Sequence, residues 1–433
     1  MNIAFAKIGK TIKFDSSRYT PNGGDNEATS CLVALATRYP EHTFYIIGMS
    51  DFSKIPQSER ARMFPNGNVI DAWAGYTPTA AKTYHPTGSA ILTEHHTHYI
   101  LQWYADSGVR MDSGVMMVGQ VSPVTIPGVI QKIDEKGLAT TLEMSKRFSA
   151  PITLWLNEHQ VPYVEVVNDP RYTIAQARDI IHGPTTTLTQ YDYEYTRRPI
   201  KSYEDQTRVE VTQVARYAAM ETLFCVGRRL PRLVDIADDR HVDFTVVLNE
   251  GRPSRYPQLR QWVLDNFKTV DVYGKWVDPA TDGDTRFVGS LHIDELQNRL
   301  RSTKCTFIIP IAKGWVTSKY IEMIHAGVIP FFHPQYDTQR HIDVPDYLRP
   351  TTIQELVERV GEVSRSRRLR LALLERLQNL LRPEYYDGSY VADAIVEALG
   401  YEKHTGPMTG AVVNMIKSVE SDNTLGGFFT DDD

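Results

Sequence analysis

The chain has 433 residues, of which 42% are hydrophobic and 23% are charged, and its formal net charge is −6 at pH 7. This length allows two or three ordinary cores, so the simplest expectation is a soluble, globular protein of two domains. No run of about 18 apolar residues occurs, and the opening MNIAFAKIGK is too short and too rich in lysine for a signal peptide, which predicts an intracellular protein without a membrane span.

The first fifty residues alternate between strand and helix patterns. NIAFAKI (2–8) predicts a strand, TSCLVALATRY (29–39) a helix and HTFYIIG (42–48) a second strand, which gives a βαβ opening. GVMMVGQVSPV (114–124) and PYVEVVNDPRY (162–172) predict further strands. The Tyr-rich segment from 183 to 205 predicts an extended surface or a domain crossing.

The alternation begins again near residue 243. The predicted elements are the strand DFTVVLN (243–249), the helix QLRQWVLDNF (258–267), the strands TVDVYG (269–274) and TRFVG (285–289), the helix IDELQNRLRST (293–303), the strand CTFIIPI (305–311), a helix containing Glu322, and the strand VIPFF (328–332). Alternation of this kind predicts an α/β fold with two doubly wound, Rossmann-like domains that face a cleft.

Composition and pattern also suggest the domain boundaries. We predict an N-terminal domain over 1–235, a second domain over 236–385, a closing helix over 386–404 and a disordered acidic tail over 405–433. Five acidic and no basic residues lie in the last sixteen positions, so the rest of the chain is nearly neutral. That balance neither supports nor excludes binding to DNA.

The segment TSKYIEMIHAGVIPFF (317–332) carries the clearest candidate site. Thr317 and Ser318 are good N-cap residues and Gly327 suits a left-handed C-cap, so a helix leads directly into a buried parallel strand. Its start at the carboxyl edge of the sheet is expected to attract phosphate near Ser318 and Lys319. Glu322, one turn into the helix, can then accept hydrogen bonds from a ribose; the alternative is a solvated helix glutamate.

Two other loops of the second domain end at the same edge. Arg252 and Arg255 follow its first strand and are candidates to hold a diphosphate bidentately, with surface salt bridges as the alternative. Lys313 and Gly314 lie in the loop PIAKGWVTSK. All four residues are predicted to bind the donor.

In the first domain, Gly23 and Gly24 precede a helix and allow the backbone to approach a ligand closely, so they are predicted to bind the donor, while Asp25 lies at the mouth of that helix. An ordinary glycine turn is the alternative, because no complete GxGxxG occurs.

This order of loops resembles the donor domain of the GT-B-fold glycosyltransferases. The stretch from Glu322 through AGVIPFF is also similar to the corresponding segment of the DNA α-glucosyltransferases of T-even-type bacteriophages, which glucosylate hydroxymethylated cytosines. The resemblance implies a nucleotide-sugar donor such as UDP-glucose, with Arg252 and Arg255 on the diphosphate, Ser318 and Lys319 near the phosphates, and Glu322 on the ribose. It also implies that residues 1–235 face the acceptor and residues 236–385 hold the donor.

The acceptor side offers two candidate catalytic carboxylates. Where the phage enzymes have a histidine–aspartate pair beside the acceptor hydroxyl, this sequence has Asn168 and Asp169. The asparagine departs from the pattern, and Asp169 is predicted as a base or an orienting group, with Asp25 as a second catalytic candidate. The alternative for Asp169 is an Asp-Pro turn.

Metal and cofactor binding are not expected. TEHHTHY (93–99) lacks the spacing of an HExxH motif, so a loop or a solvated helix is favoured. Cys31, Cys225 and Cys305 are far apart in the sequence and predict reduced thiols. The resemblance implies that no catalytic metal is needed and that the nucleotide sugar is a co-substrate.

The acidic tail contains Leu425, Phe428 and Phe429 as Leu-x-x-Phe-Phe. Such a segment resembles the short peptides by which replication enzymes bind sliding clamps, although Asp422 replaces the usual glutamine. Packing of the tail on its own protein is the alternative.

Together these features predict a retaining glycosyltransferase that moves a sugar from a UDP-sugar to the hydroxymethyl group of a modified pyrimidine in phage DNA, in the cytoplasm of an infected bacterium. The predicted partners are double-stranded DNA with modified bases, the nucleotide sugar and a sliding clamp, with no membrane. The alternatives are a glycosyltransferase for saccharides or small molecules, a non-catalytic protein that binds DNA or a clamp, and a sugar-nucleotide epimerase of the same fold.

Overall fold

A computed structural model gives the fold. It describes residues 1–8, 12, 14, 27–47, 50–72, 74, 103–118, 156, 159–167, 186–189, 214–216, 225–226, 230–236, 240–250, 254–291, 293–310, 313–314, 316–338 and 340–405. The chain divides into two compact units. Unit 1 comprises Met1–Gly227 and a C-terminal return that begins at Glu384, and unit 2 extends from Arg228 to Pro383.

Unit 1 is built on a parallel sheet of seven strands in the order β3-β2-β1-β4-β5-β6-β7. The strands are β1 (Asn2–Ile8), β2 (Thr43–Ile46), β3 (Val69–Asp71), β4 (Ser113–Val118), β5 (Tyr163–Val167), β6 (Thr186–Thr189) and β7 (Val214–Arg216). The register pairs Ala4 of β1 with Tyr45 of β2 and with Gly114 of β4. Apolar runs such as NIAFAKI form inner strands because helices cover parallel sheets on both faces.

One segment of unit 1 differs from its prediction. The Tyr-rich segment from 183 to 205 is predicted as an extended surface or a domain crossing, yet its Thr186–Thr189 portion is strand β6, paired with β5 and β7. The sequence TTLT carries little of the apolar signal of an inner strand. Its β-branched threonines nevertheless favour extended backbone.

The helices of unit 1 include α1 (Glu27–Arg38), α2 (Gln57–Met63), α8 (Pro383–Tyr386) at the unit boundary and α9 (Ser389–Ala398). Nearly every side chain of α1 is buried, because α1 lies between the sheet and α9. Arg38 and Asp393 join these two helices, with Arg38 Nε 2.9 Å and Nη2 3.1 Å from the carboxylate oxygens.

Unit 2 contains a parallel sheet of five strands in the order β10-β9-β8-β11-β12. The strands are β8 (Val242–Val247), β9 (Asp271–Tyr273), β10 (Phe287–Gly289), β11 (Thr303–Ile308) and β12 (Ile329–Phe332). All four residues of β12 are buried, as the apolar run VIPFF predicts. The fold class predicted from sequence, α/β with two doubly wound parallel sheets, is confirmed.

The described part of unit 2 includes five helices. They are α3 (Tyr256–Leu259), α4 (Ile293–Arg301), α5 (Lys319–His325), α6 (Ile353–Arg365) and α7 (Arg367–Gln378). The helix predicted over 258–267 is α-helical for about one turn and continues as a π-helical turn over Arg260–Leu264. In the part of the chain that the structure describes, no helix has the length and apolar character needed to cross a bilayer.

Candidate functional site

The candidate site lies at one edge of the unit 2 sheet. β8 and β11 are neighbours, and the strand order reverses between them, so their carboxyl ends form the topological switch point where open α/β sheets bind ligands. We call the residues that directly follow β8, β11 and β12 the carboxyl edge. Arg255, Lys313, Gly314 and the first turn of α5 all belong to it.

Ser318, Lys319 and Glu322 lie together at the first turn of α5, as predicted. The Lys319 ammonium forms a short ion pair with Oε2 of Glu322, and the Ser318 hydroxyl lies 3.4 Å from Oε1. The Glu322 side chain is 10% exposed and that of Lys319 is 28% exposed. A carboxylate accepts about four hydrogen bonds, so these two contacts leave acceptor capacity for hydroxyl groups of a ligand.

Both residues predicted as N-caps lie at the start of this helix, but the Ser318 side chain does not cap it. Ser318 occupies the N-cap position, but its φ of −60° and ψ of −6° are helical and its side chain makes no cap bond. The Thr317 hydroxyl oxygen instead accepts from the Lys319 N–H at 3.4 Å. The Ser318 hydroxyl points to Glu322 and therefore belongs to the candidate site.

Arg255 connects the ends of two strands. Its guanidinium donates to the carbonyl oxygens of Glu250 and Ile309, both at 3.2 Å, and to that of Asn249. Asn249 and Glu250 follow β8, whereas Ile309 follows β11, so Arg255 braces the switch point.

Lys313 and Gly314 follow β11 in the same region. Lys313 is exposed, and Gly314 is buried with a φ of +80°, a conformation that glycine adopts without steric cost. The Gly314 N–H donates to the Gln335 carbonyl oxygen at 2.6 Å. This bond ties the loop after β11 to the loop after β12.

The sequence gives no indication of His333, which directly follows β12. Its imidazole packs against Trp262 and Phe307, and its Nδ1 accepts from the Gln335 N–H at 3.1 Å. Burial lowers the pKa of His333 to about 4, so the side chain is neutral near pH 7.

A pocket of about 420 Å³ opens beside β9 and β10. Its lining residues are Gly274, Trp276, Thr281, Asp282, Gly283, Asp284, Thr285, Phe287 and Gly289. The Trp276 and Phe287 rings are 5.3 Å apart, and the buried indole N–H of Trp276 has no acceptor among the described residues. The hydrogen-bonded Arg286 guanidinium lowers the pKa of Asp284 below its usual value. Such a pocket combines flat apolar walls with polar groups.

The remaining predicted residues lie outside the described part of the chain. They are Gly23, Gly24, Asp25, Asp169, Arg252, Leu425, Phe428 and Phe429, together with the TEHHTHY segment. Within the part that the structure describes, no group of three or more His, Cys, Asp and Glu side chains is arranged to hold a metal ion.

Solved structures share this arrangement of two parallel-sheet units. T4 phage β-glucosyltransferase in complex with UDP-glucose aligns with a TM-score of 0.55 and 10% identity, over 92% of this chain and 99% of that one. A second T4 phage β-glucosyltransferase structure gives 0.55 and 11% over the same shares. The fold is that of the GT-B glycosyltransferases.

Anabaena HepE in complex with UDP and glucose aligns over 92% of this chain and 99% of its own at 10% identity, with a TM-score of 0.48 that is too low to support a conclusion about the fold. No protein-family model matches the sequence, and no curated protein matches it significantly.

Proposed function

We propose that this chain is a glycosyltransferase that moves a sugar from a UDP-sugar to the hydroxymethyl group of a modified pyrimidine in double-stranded phage DNA. The observation that carries the proposal is the group formed by Ser318, Lys319 and Glu322 at the switch point of unit 2, beside the brace at Arg255. T4 β-glucosyltransferase, which shares the fold, is a DNA-modifying enzyme that takes UDP-glucose.

In this proposal unit 2 holds the donor. Glu322 accepts hydrogen bonds from the ribose hydroxyls, while Lys319 orients the carboxylate and adds positive charge near the diphosphate. Arg255, and Arg252 beyond the described residues, complete the cationic surroundings of the phosphates. Gly314 holds the Lys313 loop against the loop after β12.

We propose that the pocket at β9 and β10 receives the nucleotide base. The Trp276 and Phe287 rings line this pocket and offer flat surfaces for a planar ring. Quenching of tryptophan fluorescence by UDP tests this assignment, with Trp276→Phe as the variant expected to lose most of the quenching. Equal quenching in that variant would refute it.

Unit 1 is proposed to present the acceptor. The hydroxymethyl oxygen forms a bond to the anomeric carbon, the bond from that carbon to the donor phosphate oxygen breaks, and UDP leaves with the electron pair. We propose retention of configuration, in which the departing phosphate oxygen takes the hydroxyl proton while Asp169 and Asp25 orient the acceptor. Duplex DNA has to flip the modified base out of its stack before this step.

The first experiment incubates the full chain with UDP-glucose and other nucleotide sugars, with and without duplex DNA containing hydroxymethylcytosine or hydroxymethyluracil. Nucleoside masses are then measured. A gain of one sugar on one modified base is expected. Transfer to saccharides alone would refute the DNA acceptor, and donor binding without any turnover would favour the non-catalytic alternative.

The anomeric configuration of the product tests the proposed stereochemistry. The sequence resemblance to the DNA α-glucosyltransferases predicts an α-linked sugar, which the proton coupling at the anomeric carbon reports by NMR. A β-linked product would contradict retention and would assign Asp169 the role of general base.

The acidic tail is proposed to dock on a sliding clamp through Leu425, Phe428 and Phe429. A fluorescent peptide of residues 418–433 is titrated with the sliding clamp of T4 phage as the probe. Saturable binding that Phe428→Ala abolishes is expected, and equal binding of both peptides would contradict the proposal.

A further inference from the structure

Tyr336 contacts the segment that leads into α5. Its hydroxyl accepts from the Thr317 N–H at 3.1 Å and donates to the Thr317 carbonyl oxygen at 2.9 Å. Thr317 directly precedes Ser318, the first residue of the candidate site. The buried Tyr336 hydroxyl therefore bonds both the N–H and the carbonyl oxygen of the residue next to that site. Tyr336 is 1% exposed, and its ring packs against Phe332 at 5.1 Å.

The loop that carries Tyr336 is itself held firmly. The fully buried Asp337 carboxylate accepts from the backbone N–H groups of His341 and Ile342 at 2.8 and 3.0 Å. It also pairs with Arg349 at 2.8 Å. Arg349 in turn reaches the carbonyl oxygens of Tyr336 and Ile342. The loop after β12 therefore provides a fixed frame for the Tyr336 hydroxyl.

The same loop makes two more contacts at the carboxyl edge. The Gln335 carbonyl oxygen accepts from the Gly314 N–H at 2.6 Å, and the Gln335 side-chain oxygen accepts from Gln258 Nε2 at 3.0 Å. Gln258 lies in α3, shortly after Arg255. The loop after β12 is thus bonded to both connections that carry the proposed donor residues.

We infer that Tyr336 is a positioning residue that sets α5 in the geometry required to bind the nucleotide. This inference rests on the proposed donor site. A tyrosine hydroxyl can donate and accept at once, and both of its bonds here go to Thr317. Phenylalanine keeps the ring contact with Phe332 but leaves both backbone groups of Thr317 without this partner. The first turn of α5 then loses its support, and Glu322 its fixed position.

The test measures the dissociation constant of UDP by calorimetry for the wild type, Tyr336→Phe and Tyr347→Phe. Tyr347 is the matched control, because its hydroxyl also makes a short bond, but to Glu362 of α6 at 2.6 Å and not to the segment before α5. We expect UDP binding about tenfold weaker in Tyr336→Phe, as for the loss of one hydrogen-bonded support, and within about twofold of wild type in the control. Unchanged binding in Tyr336→Phe would overturn the inference.

A double-mutant cycle separates positioning from a general loss of stability. If Tyr336 acts through α5, Tyr336→Phe weakens UDP binding by less than about twofold once Glu322→Gln is already present. The inference would be contradicted if the two substitutions weakened UDP binding additively. It would also be contradicted if, in both tyrosine variants, the loss of UDP affinity followed the fall in melting temperature. If the wild type binds no UDP, the proposed donor site itself is wrong. If the wild type and Tyr336→Phe bind UDP equally, only the role inferred for Tyr336 is wrong.

Discussion

An arginine lies at each of the two edges of the unit 2 sheet, and the two guanidinium groups differ in their surroundings. At the edge that precedes β8, β11 and β12, which we call the amino edge, Arg240 is 6% exposed and donates to the carbonyl oxygens of Leu300, Thr303 and Ala326 at 3.3, 2.5 and 2.8 Å. At the carboxyl edge, Arg255 is half-buried and also donates to three carbonyls.

The difference lies in what surrounds each arginine. Leu300 and Ala326 are at the carboxyl ends of α4 and α5, where a cation compensates unpaired carbonyls. Arg240 therefore joins the ends of α4 and α5 to the start of β11 within the core. Arg255 belongs to the same edge of the sheet as Lys313 and Lys319, which keep part of their side chains exposed. We expect changes at the amino edge to lower stability alone, and changes at the carboxyl edge to alter donor binding.

The largest expected effect belongs to Glu322 at the carboxyl edge. Glu322→Ala removes the acceptor of two charge-assisted hydrogen bonds from a ribose, so transfer and UDP affinity are expected to fall at least about 100-fold. Initial rates and calorimetry measure the loss. Glu358→Ala, which removes an exposed helix glutamate, is the control and should retain full activity. Wild-type UDP affinity in Glu322→Ala would contradict the assignment of donor binding to the carboxyl edge.

Asp337 tests whether the carboxyl edge also carries stability. Asp337→Ala breaks a buried ion pair and two backbone hydrogen bonds, and should lower the free energy of unfolding by about 3–5 kcal/mol while weakening UDP binding. Asp346→Ala breaks the exposed pair with Arg340 and should cost less than about 1 kcal/mol. Urea denaturation measures both, and equal losses would contradict the assignment of Asp337 as an anchor.

The buried His333 predicts a pH dependence. Its pKa of about 4 in the folded chain lies below the ordinary 6.5, so between these values the unfolded chain binds a proton that the folded chain does not. Stability should therefore fall as the pH is lowered through this window, by up to about 3 kcal/mol. Urea midpoints at about pH 7 and about pH 5 should differ less in His333→Gln than in the wild type.

Gly327 gives the smallest effect, and it tests the amino edge. Its φ is +67°, and a Cβ atom there would lie 2.6 Å from Nη2 of Arg240. Gly327→Ala should cost about 2 kcal/mol of stability, from the left-handed backbone and the displaced guanidinium together. Gly67→Ala in unit 1 is the matched control, because its φ is +63° with no atom near the new Cβ, and should cost about 1 kcal/mol. A weaker UDP affinity in Gly327→Ala would show that the two edges are not independent.

Sequence predicts the fold well because apolar runs and glycine or proline breaks are local signals. NIAFAKI and VIPFF form strands for that reason. TTLT carries a weaker apolar signal, and only its pairing with the neighbouring strand identifies it as a strand. Within the candidate site, Ser318, Lys319 and Glu322 are predictable as a group because residues three and four apart share one face of a helix.

Other parts of the site depend on tertiary contacts that a sequence pattern does not contain. Tyr336 lies 19 residues from Thr317, and no local motif marks either residue as the partner of the other. The sequence predicts Arg255 on a diphosphate, but not that its guanidinium braces the ends of β8 and β11. Trp276 and Phe287 meet only because β9 and β10 are neighbours.

The pairing of α1 with α9 has a consequence for biosynthesis. Arg38 and its partner Asp393 are separated by 355 residues, which a ribosome takes roughly 20–70 s to add. During that interval α1 has no α9 to cover it, and the whole of Arg228 to Pro383, which forms unit 2, is synthesised before α9. The half of the protein that begins first is therefore the half that is completed last.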